Sequence, residues 1–129
     1  MAIKKILVVD DDENIRKTLS LLLSEQYRVV QAKDGEEVMS RYARGAVDLV
    51  IADYRLPGMT GVELIAAMRR QGYRGEAILI SGHPDVIDAD LLSKLRISCF
   101  FAKPMDLADL NRSVHYVLHK GELMPRPAL

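Results

Sequence analysis

The chain has 129 residues, 49% hydrophobic and 28% charged, the size and composition of one globular domain with a real core. Eighteen Lys and Arg balance eighteen Asp and Glu, so there is no basic footprint for nucleic acid, and no apolar stretch approaches the ~20 residues of a membrane span. The single cysteine, Cys99, excludes an internal disulfide and suits a reducing compartment; the opening Met-Ala-Ile-Lys-Lys lacks a signal peptide's apolar core and cleavage site, so a cytoplasmic location is expected.

Residues 4–9 are the first predicted strand, carrying the apolar run Ile6-Leu7-Val8-Val9. Ile15, Leu19, Leu22 and Leu23 then share one helical face, and Asp12 is placed to cap that helix. Residues 28–32 make a short second strand. Asp34 with Glu37 resembles a capping box, and its helix should run to about Arg44 and stop at Gly45. Residues 47–52 are apolar apart from Asp48, as a central strand of a parallel sheet should be. Pro57-Gly58 marks a loop, and Thr60 with Glu63 is a second capping pair, for a helix ending before Gly72. Residues 76–80 are the fourth strand. Asp85 is placed to cap a helix over roughly residues 86–95, and residues 97–102 are the fifth strand. Leu107, Leu110, Val114, Val117 and Leu118 mark a last helix ending near Gly121. The domain is assigned to residues 3–120, and residues 121–129 to a tail or the start of a linker.

Five βα units with right-handed crossovers make an α/β domain, a doubly wound parallel sheet with helices on both faces. The reactive side chains fall at strand ends. Asp10, Asp11 and Asp12 follow the first strand, Asp53 the third, Ser81 the fourth, and Lys103-Pro104 the fifth. In an open parallel sheet those ends share one edge, where ligands bind. Side chains from 10 to 103 should therefore converge on one site holding carboxylates, a hydroxyl and an ammonium. Clustered carboxylates repel one another and are costly to bury unpaired. A hard cation removes that cost, and magnesium takes one or two carboxylates, several waters and a phosphate oxygen. Lys103 and Ser81 can bind further phosphate oxygens, and the Asp53 carboxylate can attack phosphorus to become an aspartyl phosphate.

Four motifs carry a family resemblance: Val8-Val9-Asp10-Asp11-Asp12-Glu13, Asp53-Tyr54-Arg55-Leu56-Pro57-Gly58-Met59-Thr60-Gly61, Ile80-Ser81-Gly82 and Phe100-Phe101-Ala102-Lys103-Pro104. In this order, at strand ends, they resemble the receiver domains of two-component response regulators over about residues 3–120. The resemblance implies a flavodoxin-like five-stranded sheet in the order 2-1-3-4-5. It implies that Asp53 takes a phosphoryl group from the phosphohistidine of a sensor histidine kinase or a phosphotransfer protein. Asp11 and Asp53 would ligate magnesium (or manganese), with the Arg55 carbonyl as backbone ligand and Asp10 acting through a bound water. Ser81 would be the switch hydroxyl, Phe100 the switch aromatic, and Lys103-Pro104 a cis peptide that aims the ammonium. The chain would be a phosphoacceptor switch rather than an enzyme. Its phosphoryl group would bias an inactive-to-active equilibrium. The readout would be the face of helix 4, strand 5 and helix 5, used by an effector domain or protein, or by a homodimer formed on phosphorylation.

Some positions depart from the family pattern. Where members commonly carry Gly-Ala before the switch aromatic, this chain has Arg96-Ile97, bulkier and charged. Arg55 and His83, two residues after Asp53 and Ser81, should flank the site and tune the lifetime of the phosphoryl group. Other polar residues have plainer readings. Asp12 and Asp34 are caps, Asp48 marks the start of a strand, and Cys99 is a small buried hydrophobe. His115 and His119 are an i,i+4 pair on a solvated helix face. Phe100, as an apolar residue alone, would be ordinary core.

Three other functions fit part of the pattern. A phosphatase of haloacid-dehalogenase type would use Asp10-x-Asp12 but leaves Asp53 and Pro57-Gly58 without a role. A flavodoxin would need a phosphate-binding loop after strand 1, where three aspartates stand instead. A receiver-like docking module without phosphorylation would normally lack one of the key residues, and all are present.

Overall fold

All five residues of the strand Leu49–Asp53 are buried, and a strand with no solvated face must lie between two layers. It is the central strand of the computed structural model, which describes residues 3–42, 46–84 and 87–123. In chain order the elements are β1 (Lys5–Val9), α1 (Glu13–Leu23), β2 (Arg28–Ala32), α2 (Gly35–Arg41), β3 (Leu49–Asp53), α3 (Gly61–Arg70), β4 (Glu76–Ser81), α4 (Ala89–Lys94), β5 (Cys99–Ala102) and α5 (Leu107–Leu123). A two-residue ribbon, Arg55–Leu56 against Met59–Thr60, joins β3 to α3. The sheet is parallel throughout and ordered β2-β1-β3-β4-β5, the expected doubly wound arrangement. Among the described residues no helix is long and apolar enough to cross a membrane.

The alternation along each strand sorts its side chains between two cores. Leu7, Val9, Val50, Ala52 and Leu79 face a cluster closed by Val38 of α2 and by Leu64, Ile65 and Met68 of α3. Ile6, Val8, Leu49, Ile51 and Ile78 face the opposite cluster, closed by Leu19 and Leu23 of α1 and by Leu110, Val114 and Val117 of α5.

The caps are largely those read from the sequence. The Asp12 carboxylate accepts from the amides of Asn14 and Ile15, and Asp34 from that of Glu37. Thr60 and Glu63 make both bonds of the capping box. The strand limits move by one or two residues. Asp48 falls outside β3, where its carboxylate accepts the Lys5 amide at 2.8 Å and closes the start of β1 against β3. The helix expected from residue 86 begins at Ala89 instead, because Asp88 caps it through the Asp90 amide. Asp85 and Val86, like Arg44 and Gly45, lie outside the described residues. The last helix continues through Gly121 to Leu123.

Candidate functional site

The carboxyl ends of β1, β3, β4 and β5 bring the predicted residues together. Ladder pairs fix the depth: Val9 lies opposite Ala52, Asp53 opposite Ile80, and Ser81 opposite Ala102. Asp53, the last residue of β3, and Asp10, the residue after β1, therefore emerge side by side at the strand ends. Both are buried, at 3% and 8% exposure, whereas Asp11 stands at the open rim. One carboxylate oxygen from each of Asp10, Asp11 and Asp53 lies within 4.8 Å of the others. Three hard oxygen donors at that spacing fit a divalent cation such as magnesium.

Lys103 lies between the two buried carboxylates. Its Nζ is 3.5 Å from Asp10 Oδ2 and 3.3 Å from Asp53 Oδ2. The Lys103 amide donates to the Ser81 carbonyl at 2.8 Å, and the Lys103–Pro104 peptide is cis, as expected. Ser81 is buried at 1% exposure, and its hydroxyl oxygen accepts the His83 amide at 2.9 Å. Phe100, paired with Leu79 across the ladder, is half-buried against the α2–α3 core.

Burial pushes the Asp10 carboxyl above its usual range. The Asp12 amide, donating to Asp10 Oδ1 at 2.9 Å, pulls it back; the Asp53 charge pushes it up, Lys103 pulls it down, and Asp11 pushes it up again. A carboxylate held this way gains from any cation that enters.

The loop after β3 is shaped by two glycines. Gly58, at φ +80°, follows Pro57 in the turn of the ribbon, the position where a left-handed residue is required. A Cβ at Gly61 would stand 2.3 Å from the Asp53 carbonyl oxygen, so only glycine lets α3 begin against the backbone of Asp53.

Asp12 points away to cap α1, so the Asp10-x-Asp12 pair of the phosphatase alternative does not converge. Arg55 and His83 are exposed at the rim. One contact was not anticipated: the Arg16 guanidinium of α1 donates to the Asp10 carbonyl at 2.7 Å and ties the acidic loop to its helix. Its signal in the sequence was a basic residue one turn after the cap, easily taken for a solvated position.

The profile of the response regulator receiver domain matches residues 6–115. The chain is 31% identical over 121 residues to the alkaline phosphatase synthesis transcriptional regulatory protein PhoP of Bacillus subtilis, covering 93% of this chain and 50% of that protein, and so spans about half of that relative's length. It is 28% identical over 112 residues to sporulation initiation phosphotransferase F of the same organism, covering 86% of this chain and 90% of that one. Among solved structures, the response regulator TrrA of Thermotoga maritima in complex with Mg2+-BeF matches at 31% identity and a TM-score of 0.76, covering 89% of this chain and 99% of that one.

Proposed function

The chain belongs to the response regulator receiver domains, and from that premise we propose that it is a phosphorylation switch whose acceptor is Asp53. The observation that carries this reading is the meeting of Asp10, Asp11, Asp53 and Lys103 at one sheet edge. Asp11 and Asp53, with the Arg55 carbonyl, would hold magnesium, and Asp10 would act on it through water; manganese has the same ligand preference. When bound, the ion neutralises carboxylate charge and polarises phosphoryl oxygens. An Asp53 carboxylate oxygen attacks the phosphorus of a phosphohistidine, the phosphorus–nitrogen bond breaks, and the leaving imidazole takes a proton. Lys103 then has a phosphoryl oxygen to bind in place of a carboxylate, and Ser81 can donate to another.

The donor would be a sensor histidine kinase or a phosphotransfer protein. An apolar groove of about 550 Å³ beside Lys103, lined by Ile15, Leu19, Pro104, Met105 and Leu107, offers such a partner a seat within reach of Asp53. The change at Ser81 and Lys103 would pass through Phe100 to the face of α4, β5 and α5. An effector domain or protein would read it there, or a homodimer formed on phosphorylation. A cytoplasmic setting suits this chemistry.

Incubation with magnesium and acetyl phosphate should add one phosphoryl group by intact mass. Asp53→Asn should remove the adduct, and an adduct kept at full yield would place the acceptor elsewhere. Arg55 and His83 are assigned to lifetime, as large side chains flanking the path of the attacking water. The Arg55→Ala, His83→Ala double variant should lose phosphate several-fold faster in an autodephosphorylation time course; an equal or slower rate would remove them from that role.

A further inference from the structure

The opposite edge of the sheet carries a second cluster of ligating side chains. Tyr27 directly precedes β2 and so lies at the amino end of the strands, away from the acidic pocket. It is buried, at 5% exposure, and its hydroxyl is 3.1 Å from Nδ1 of His115 on α5. His119, one turn on, stacks against His115 with ring centroids 4.5 Å apart and planes tilted by 39°, and lies 6.1 Å from the Tyr27 ring. His115 is exposed and His119 half-buried, so the pair lies on the solvated face of α5, as its spacing led one to expect, with the Tyr27 ring packed beside it.

We propose that His115 and His119 form a binding site for a borderline transition-metal ion, Zn2+, Ni2+ or Cu2+, separate from the acidic pocket. Two histidines four residues apart on a helix present nitrogens to the same side, the arrangement that helical zinc sites use. Two nitrogens on one tetrahedral zinc stand about 3.3 Å apart at Zn–N distances of about 2.0–2.1 Å. Ring centroids 4.5 Å apart put the two imidazoles within range of one shared ion. The Tyr27 hydroxyl occupies Nδ1 of His115, which makes Nε2 the ligand atom. Metal-bound histidines commonly have such a partner on the second nitrogen, where it fixes ring orientation. Burial raises the Tyr27 phenol above its usual range, so it stays a neutral hydrogen-bonding partner. Imidazole nitrogens favour these ions, whereas magnesium prefers the carboxylates at the other edge. With two protein ligands and the rest water, the site should bind more weakly than a closed structural zinc site.

The test is calorimetric titration of tag-free protein with Zn2+ near pH 7.5, with magnesium in excess to fill the acidic pocket, alongside imidazole NMR signals. One saturable equivalent is expected, with the His115 and His119 signals shifting together. His115→Ala and His119→Gln should each abolish it, and His83→Ala should not. Tyr27→Phe should weaken binding about tenfold, the usual cost of losing such an orienting partner. No saturable binding by wild type, or equal binding by His115→Ala, would overturn the site. Unchanged binding by Tyr27→Phe would overturn the orienting role of its hydroxyl.

Discussion

Lys103 is the residue on which the site's electrostatics turn. Its ammonium, 3.3 and 3.5 Å from two buried carboxylates, already supplies part of the charge that a magnesium ion would bring. The two cations therefore compete for the same carboxylates. Lys103→Met keeps the apolar stem and removes the charge. It should bind magnesium roughly fivefold more tightly, equivalent to about 1 kcal/mol, and melt lower without metal. Weaker magnesium binding in a titration would mean that the ammonium positions the carboxylates instead. At this scale the sequence was legible wherever a polar residue ended an apolar run. Asp10, Asp11, Asp53, Ser81 and Lys103 converge for that reason. The contacts of Arg16 and Tyr27 were not legible, because each joins two elements and periodicity does not register it; the His115–His119 spacing was legible, its contact with Tyr27 was not.

At the scale of elements, the end of α4 shows a departure from the family pattern becoming a structural feature. Arg96 sits at φ 56°, in the left-handed region. Its amide donates to the Ser93 carbonyl and the Ile97 amide to the Leu92 carbonyl, the paired bonds of a Schellman cap. Arg69 of α3 reinforces the turn by donating to the Leu95 and Arg96 carbonyls. The backbone thus keeps the conformation that glycine fits best while the side chain is arginine. Arg96→Gly removes the Cβ clash at some cost in unfolded-chain entropy. A net gain of about 1 kcal/mol is expected, or roughly 2–4 °C in melting temperature by calorimetry. A lower melting temperature would show that the arginine side chain itself stabilises the turn. The same region was the least legible in the sequence. The sequence places the cap at Asp85 and the structure has it at Asp88; no residue of α4 is buried, so its apolar pattern is too weak to fix where the helix begins. By contrast β3, α3 and α5 carry long buried faces and were placed to within a few residues.

For the whole molecule, the acidic pocket ties stability to pH and to metal. The folded state raises the Asp10 carboxyl above its unfolded value, chiefly by burial. The native protein therefore binds that proton more tightly than the unfolded chain does. The resulting stabilisation is complete below about pH 4, the unfolded value of an aspartate, and is lost as pH rises through the folded value. Asparagine imitates the neutral acid and can still accept the Asp12 amide that Asp10 Oδ1 accepts. Metal-free wild type and Asp10→Asn should then melt closely together in mild acid and diverge toward pH 8, with the variant the more stable. Comparing the two at each pH cancels the contributions of the groups they share. Magnesium should reverse the order. At a hundred times its dissociation constant a bound ion stabilises the folded state by about 2.7 kcal/mol, and Asp10→Asn, with one less charge to offer, should gain less at the same concentration. Thermal melts of both proteins across pH, with and without magnesium, read this directly. A gap between them that stays constant from mild acid to pH 8 would mean that Asp10 is ionised throughout, and that burial at this sheet edge is not what primes the pocket for a cation.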